Sequence, residues 1–535
     1  MRLLEFVSLI RPLRGDGPLT RDVNGVAWDC RRVSPGNLFV AIPSPGRDTQ
    51  AAVDMAVERG AGAILCEGHE VVGLRTTRLQ VANVRATLPR VAELFFNQPD
   101  RRLKVIGVAG SFGTSAPAAL IKSVLNAAGL KCGFIGASGC EAGERWMPTL
   151  KKTAELLDYQ EVINQMVRAG CGACVIELSP EAIEKKLVQD LAFDSLVFGR
   201  FDDTAAPGRM SSLIQFCLGQ ADAAKRCIGV FNLDDTTSAA LFDARVFKQQ
   251  ISFGFNGSAE VRGSAVELGH GSLSMLVEAG AMEIRLRTKL TGRKNASNLL
   301  AACACGLAMK IPLSLMRFTL QKTTPPGGEL EPIGTAAELP IYVDGSKTEP
   351  EIAEAIENVR ELTKGRVIVA VASMAGESVE RRAKLGHTSA VMADYTIITT
   401  NNPGRESAAQ IAAQVERGFQ MGPHHPYHIE LDRARAIYDL VQLAQPGDAI
   451  LITGKGVETH QEFADTIVPF DDREVALHAL ESRMAPAMAE FVRDEGAEMR
   501  KCLEGTVRAA TNNNASQREA SFLRDVALEH DQFAA

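Results

Sequence analysis

Short, almost wholly apolar runs alternate with amphipathic helical stretches along most of the chain, and that alternation dictates parallel sheets with helices packed on their faces. The runs at 38–42 and 63–66 bracket a helical stretch over 49–59, and a second helical pattern covers 86–96. Strand patterns follow at 104–108, 174–178, 195–198 and 228–233, then at 341–343, 367–372, 395–399 and 449–453. The stretch 250–290 alternates apolar and polar residues more in the manner of antiparallel strands. The expected fold class is α/β with mainly parallel sheets. Turn-forming clusters at Asn97-Gln98-Pro99-Asp100 and Pro325-Pro326-Gly327-Gly328 divide the chain into 1–100, 101–324 and 325–484, with a helical tail at 485–535.

Composition bounds the function classes. At 535 residues, three or four domains are expected. Lys and Arg number 58 against 65 Asp and Glu, a net charge of −7, which leaves no basic footprint for nucleic acid or an anionic membrane. No segment approaches the roughly 20 apolar residues of a spanning helix. The N-terminal apolar stretch is interrupted by Glu5 and Ser8 and lacks a small-residue cleavage site, so no secretory signal is read. Eleven cysteines, an odd count in a long chain, point to reduced thiols and a cytoplasmic location. Cys171 and Cys174 form a CxxC, but neither a following helix nor a second CxxC supports redox or zinc chemistry, and they read as buried strand-entry thiols.

Residues 104–128 form a strand, a glycine-rich turn and a helical pattern. Such a turn holds phosphate through backbone N–H groups and the helix N-terminus. The turn reads Gly107-Val-Ala-Gly110-Ser-Phe-Gly113-Thr114-Ser115 and resembles the G-x-x-G-T-N-G-K-[ST] loop of the Mur ligases. Further motifs follow in order. Asp29-Cys-Arg31-Arg-Val-Ser-Pro-Gly36-Asn-Leu-Phe-Val-Ala41 resembles D-S-R-x-V-x-P-G-D-L-F-V-A. Ile176-Glu177-Leu-Ser179-Pro-Glu181 resembles M-E-V-S-S-H, and Gly292-Arg-Lys-Asn295-Ala-Ser-Asn298 resembles the adenine-proximal G-x-x-N-x-x-N. Val343-Asp344, Asn401-Asn402-Pro403, Gly454-Lys455-Gly456-Val457-Glu458 and Asp472-Arg473-Glu474-Val475 stand for V-D-Y-A-H-T-P, D-N-P-R, G-K-G-H-E and the domain-closing motif.

The ordered run over 25–484 is similar to the E-type Mur ligases, the UDP-N-acetylmuramoyl-tripeptide synthetases. That resemblance implies a UDP-sugar-binding-like first domain, a central P-loop-like domain and a Rossmann-like third domain. It also implies ATP- and magnesium-dependent joining of an amino acid to UDP-MurNAc-dipeptide through an acyl phosphate. By position it assigns Glu177, Glu181, Lys455 and Glu458 to catalysis, and Gly110, Gly113, Thr114, Ser115, Asn295 and Asp344 to the nucleotide. Asp29, Arg31, Thr153 and Asn402 fall to substrate, and Ser115 and Glu177 to the metal.

Departures from the pattern fall on these positions. The loop Lys is Thr114, which cannot cancel triphosphate charge; hydrogen bonds to charged groups are worth only ~1.5–3 kcal/mol each. The His of the central motif is Glu181. The position of the family's carbamylated Lys falls on Cys217. Asp202 and Asp203 read as a solvated turn in preference to a metal site. The third-domain Arg of P-G-R-M-E is Glu329, D-N-P-R has lost its Asp and Arg to Asn401 and Gly404, and Y-A-H-T-P has become Gly345-Ser346-Lys347-Thr348-Glu349. Lys455 reads either as a site residue or as a support for its own turn.

Read position by position, these changes predict a non-catalytic Mur fold kept for binding, assembly or regulation, with vestigial site residues and no cofactor. The alternatives are an active ATP- and magnesium-dependent ligase with a rearranged site, or a sensor of UDP-MurNAc-peptide or nucleotide. The tail carries Met488, Phe491, Val492, Met499, Leu503 and Val507 at helical spacing. It is the expected contact for a protein partner or for self-association.

Overall fold

A computed structural model describes residues 2–43, 48–69, 76–136, 139–148, 150, 155–201, 208–224, 227–323, 328–334, 339–423 and 425–484. The tail at 485–535, Thr153, and Asp202 with Asp203 lie outside the described residues. The chain divides into two compact units, Met1–Arg262 with Leu300–Thr319, and Gly263–Leu299 with everything from Leu320 on.

The first unit holds two sheets. In the N-terminal one the strands run in the order Arg14–Asp16, Thr77–Gln80, Ala63–Cys66, Asn37–Val40, Gly25–Ala27, parallel except for the first pair. The helix Thr49–Glu58 lies between two of them in sequence, as a parallel connection requires, and Asp48 caps it through Ala51 N–H. The helix read as 86–96 begins earlier, at Val84, because Asn83 caps it through Ala86 N–H at 3.0 Å.

The second sheet is centred on Lys104–Ala109. Ala173–Leu178 and Ser195–Phe198 flank it in parallel, and beyond them lie Cys132–Gly136 on one side and Ile228–Asn232 and Gln249–Gly254 on the other. All six are parallel; Gly139–Ala142 and Arg145–Met147 add an antiparallel edge. The central strands are buried on both faces, which is why they read as unbroken apolar runs. Residues 250–290 correct the antiparallel expectation in part. Gln249–Gly254 follows the helix Thr236–Asp243 and pairs in parallel with Ile228–Asn232, since a helical crossover returns the chain in the same direction. Val261–Gly269, Ser272–Ala279 and Met282–Thr288 then follow as neighbours in the same sheet, joined by two-residue connections, and Ser272–Ala279 pairs with Met282–Thr288 in the expected antiparallel hairpin.

Polar bridges tie the N-terminal sheet to the helix Leu156–Arg168. Trp28 Nε1–H donates to Asp158 at 2.9 Å, Arg85 meets Glu155 at 2.5 Å, and Arg32 meets Glu161 at 2.6 Å while stacking over Trp28. The cysteines of the CxxC are buried and reduced, and burial pushes the Cys174 thiol well up. Cys217 is likewise a core residue, its thiol pushed up to about 12 by burial. No helix among the described residues is long and apolar enough to cross a membrane.

The second unit carries a six-stranded sheet in the order Glu331–Ile333, Ile341–Asp344, Ala449–Thr453, Val367–Val371, Tyr395–Ile398, Tyr427–Ile429, parallel except for its first pair. Arg433, at the start of the helix Arg433–Leu443, is fully buried. Its guanidinium makes a two-pronged bond to Asp472, both contacts at 2.7 Å, and donates to Thr453 O at 2.7 Å and Thr400 O at 3.3 Å. Breaking a buried pair from one side leaves a charge uncompensated at about 3–5 kcal/mol, whereas removing both charges costs far less. Arg433→Met should therefore lower the melting temperature sharply, and Arg433→Met combined with Asp472→Leu should recover most of it in calorimetric scans.

Candidate active site

In the first unit the carboxyl ends of two parallel strands meet at the glycine-rich turn. Lys104–Ala109 ends there, and the helix Ser115–Ala127 leaves it; the expected strand–turn–helix is present. Gly113 sits at φ +63°, a conformation that side chains disfavour. At Gly110 a Cβ would stand 2.9 Å from Arg200 O, and Ser111 N–H donates to that same oxygen at 2.8 Å. Glu177 lies opposite Val108 in the neighbouring strand, which aims its carboxylate at the turn; Thr114 Oγ1 donates to it at 3.3 Å. Gly136 makes room for that carboxylate, since a Cβ there would approach Glu177 Oε1 to 2.4 Å. No side chain caps the helix after Thr114, and Ser111 Oγ is buried without a hydrogen-bond partner. Ser115 is half-buried as the first helical residue, while Glu181 stands exposed on the short helix Pro180–Glu184.

This donor set fits a magnesium–phosphate group. Magnesium is commonly held by one or two carboxylates together with phosphate oxygens and waters. Ser115 and Glu177 would supply the protein's share, and an uncapped helix N-terminus with an unsatisfied hydroxyl beside it favours phosphate. Among the described residues no three His, Cys, Asp or Glu side chains form a metal cage.

Asp29 and Arg31 pair with each other. Asp29 caps the turn Cys30–Arg32 and takes both prongs of the Arg31 guanidinium, at 2.9 and 2.6 Å.

In the second unit three loops leave the carboxyl ends of parallel strands of one sheet, where ligands of open α/β sheets sit. The loop after Ile341–Asp344 carries Lys347, the one after Ala449–Thr453 carries Lys455 and Glu458, and the one after Tyr395–Ile398 carries Asn402. They converge on a single network. Lys347 Nζ pairs with Glu458 Oε1, and Asn402 Nδ2 donates to Glu458 Oε2 at 3.0 Å. Lys455 Nζ donates to Asn402 Oδ1 at 2.9 Å and His460 O at 2.5 Å, and lies 3.7 Å from Glu458.

Lys455 is fully buried. Burial, with Arg433 nearby, pulls its pKa down from the ordinary 10.5 to about 8. Burial alone would raise the Glu458 carboxyl, but Lys347, Lys455 and Asn402 outweigh it and hold it below the usual range. Lys455 thus serves more than its own turn: it fixes the Asn402 amide so that its Nδ2 faces Glu458.

The reversal at Glu329 has a counterpart. Lys294, on the helix Gly292–Ala308, reaches it at 2.8 Å with only 6% of its side chain exposed. Burial raises the Glu329 carboxyl and the Lys294 ammonium opposes the shift. Asp344 accepts from Leu330 N and from Ser346. Asn295 donates to Thr291 O and accepts from Asn298. The pairings of Lys347 and Lys294 went unseen in the sequence. The available signal was a new Lys within a motif that had elsewhere gained or kept an acid.

Known proteins similar to this chain point one way. The Mur ligase middle domain matches residues 214–306, and the Mur ligase glutamate ligase domain matches residues 330–456. The UDP-N-acetylmuramoyl-L-alanyl-D-glutamate–2,6-diaminopimelate ligase of Geobacillus thermodenitrificans is 30% identical over 479 residues, covering 88% of this chain and 96% of that protein. The UDP-N-acetylmuramyl-tripeptide synthetase of Roseiflexus sp. is 30% identical over 504 residues, covering 90% and 99%. Among solved structures, a UDP-N-acetylmuramoyl-L-alanyl-D-glutamate–2,6-diaminopimelate ligase superposes with a TM-score of 0.63 at 19% identity, over 90% of this chain and 99% of that one. MurF of Thermotoga maritima, solved with ADP, gives 0.58 at 16%, over 87% and 98%.

These findings overturn two expectations. Relatives matched over nearly their whole length carry the names of working ligases, which contradicts a non-catalytic fold. The expectation of no cofactor falls with it, since such ligases run on ATP and one structural neighbour holds ADP. Identity of 30% sustained across two whole relatives, on a fold shared with solved members, settles descent: the chain belongs to the Mur ligase family and is of its E type.

Proposed function

We propose that the protein is an ATP- and magnesium-dependent amide-bond ligase that joins an amino acid to the carboxyl end of a UDP-MurNAc-peptide, using a rearranged site. One observation carries the reading: Lys347, Asn402, Lys455 and Glu458 form a connected, half-buried polar network at the carboxyl ends of parallel strands. Buried charge is expensive to maintain without a task, and here three separate loops are committed to it.

ATP supplies the phosphoryl group that turns a carboxylate into an acyl phosphate. The substrate carboxylate oxygen attacks the terminal phosphorus and ADP departs; the amine nitrogen then attacks the acyl carbon, phosphate departs, and the nitrogen sheds a proton. The Gly110–Ser115 turn holds phosphate through backbone N–H groups and the Ser111 and Ser115 hydroxyls. Glu177 and Ser115 would hold magnesium, which when bound would supply charge neutralisation where the loop lacks Lys. Thr114 orients the Glu177 carboxylate. Asn402 and Glu458 receive the amino acid, and Lys455 is a positioning residue behind them.

The direct test measures ADP release from ATP, magnesium, UDP-MurNAc-dipeptide and a pool of amino acids. Release that requires both the sugar peptide and an amino acid is expected; none at all would end this reading. Glu177→Gln should lower kcat by about 10²–10³ while leaving the fold intact, the usual cost of losing one group that stabilises transition-state charge.

Lys455 also leaves a signature in stability. Its folded pKa, about 8, lies below the unfolded value of 10.5, so the unfolded chain binds more protons between them. The folded state carries the full penalty below pH 8, and stability rises as pH climbs from about 8 to 10.5. At 1.36 kcal/mol per unit the total is on the order of 3 kcal/mol. The difference in unfolding free energy between wild type and Lys455→Gln should therefore shift in favour of wild type across that window, and a flat difference would refute the assignment.

A further inference from the structure

We propose that Arg200 supplies the positive charge that the glycine-rich turn itself lacks, its guanidinium pairing with the outer phosphates of the bound nucleotide. This assignment rests on the reading of that turn as the ATP phosphate site.

Three successive residues are pinned at the carboxyl end of Ser195–Phe198, the strand beside Lys104–Ala109. Gly199 N–H donates to Ala109 O at 2.9 Å, and Arg200 O accepts from Ser111 N–H at 2.8 Å. Phe201 N–H donates to Asp235 Oδ2 at 2.9 Å. Arg200 and Phe112 face each other as an antiparallel bridge. Residues opposed in this way send their side chains out on the same face, with Cβ atoms about 4.5–5.5 Å apart. The Arg200 side chain therefore starts beside Phe112, in the middle of the turn, and Arg200 is half-buried there. Gly110 permits the approach, since a Cβ in its place would crowd Arg200 O at 2.9 Å.

Charge makes this position matter. Glu177 already points a carboxylate at the turn, and Thr114 answers it with a neutral hydroxyl at 3.3 Å. A polyphosphate entering the turn adds further negative charge. Among the described residues that directly follow the three central strand ends, Gly110–Ser115, Ser179–Glu184 and Gly199–Phe201, Arg200 is the one cation. Other cations of this sheet and its first helix are engaged elsewhere. Lys104, at the amino end of its strand, pairs with Asp194 at 2.7 Å, and Lys122 pairs with Glu141. A guanidinium suits the task, because its planar fork offers two parallel N–H donors to phosphate oxygens and never loses its charge. The cation lost from the loop at Thr114 is thus replaced from the neighbouring strand end.

Full-length protein with magnesium is titrated calorimetrically with ADP and with AMP. The forms compared are wild type, Arg200→Met, Arg200→Lys, and Arg200→Met combined with Thr114→Lys. Arg200→Met should weaken ADP about tenfold to a hundredfold, the worth of one charge-assisted bond to phosphate, and weaken AMP far less. Arg200→Lys should keep most of the ADP affinity. Thr114→Lys in the Arg200→Met background should return part of it by putting a cation back into the loop. An unchanged ADP affinity in Arg200→Met, an equal loss of ADP and AMP, or a loss that neither lysine substitution reverses would each overturn the proposal. So would a wild type that binds no ADP. A merely structural Arg200 gives the equal loss. If ADP binding depends on Arg200 in this way while the coupled assay releases no ADP, the ligase reading fails and the Arg200 assignment stands. If the coupled assay releases ADP and Arg200→Met binds ADP as wild type does, the assignment fails and the ligase reading stands.

Discussion

The Lys347–Asn402–Lys455–Glu458 network depends on a bond that none of its members makes. Arg433 is wholly enclosed, and its guanidinium joins Asp472 to the backbone oxygens of Thr400 and Thr453. Those oxygens end the strands whose loops carry Asn402 on one side and Lys455 with Glu458 on the other. A planar fork with five donors can satisfy a carboxylate and two carbonyls at once, which an ammonium on a flexible stem cannot do in fixed geometry. Strand ends held this way keep Asn402 within hydrogen-bond reach of both Lys455 and Glu458 without any ligand present.

The elements that could be read from sequence were those set by local pattern. Unbroken apolar runs gave the central strands because these are buried on both faces. The strand–turn–helix at the glycine-rich loop, the buried CxxC and the order of the Mur motifs were legible for the same reason: each depends on neighbours a few residues apart. The direction of Gln249–Gly254 was not legible, since alternation describes one strand's faces and says little about which strand lies beside it.

Charge was the harder matter. Lys347 and Glu458 are 111 residues apart, Lys294 and Glu329 are 35 apart, and Arg433 and Asp472 are 39 apart. Taken singly, Glu329 is a reversal and Lys347 an intrusion, and a sequence of such changes resembles loss of function. In the fold each of these charges faces an opposite one. Counting departures one position at a time therefore overstated the damage, and it led to a non-catalytic reading that the relatives contradict.

Paired charges also change what binding must do. An unpaired buried cation would cost several kcal/mol to keep, whereas a cation already matched to a carboxylate costs far less. The saving is returned when a ligand arrives, because the ligand has to compete with the internal partner before it gains its own contact. The glycine-rich turn solves the same problem by other means. Its donors are backbone N–H groups and hydroxyls, which carry no net charge to bury, and the Glu177 carboxylate beside it accepts from the Thr114 hydroxyl.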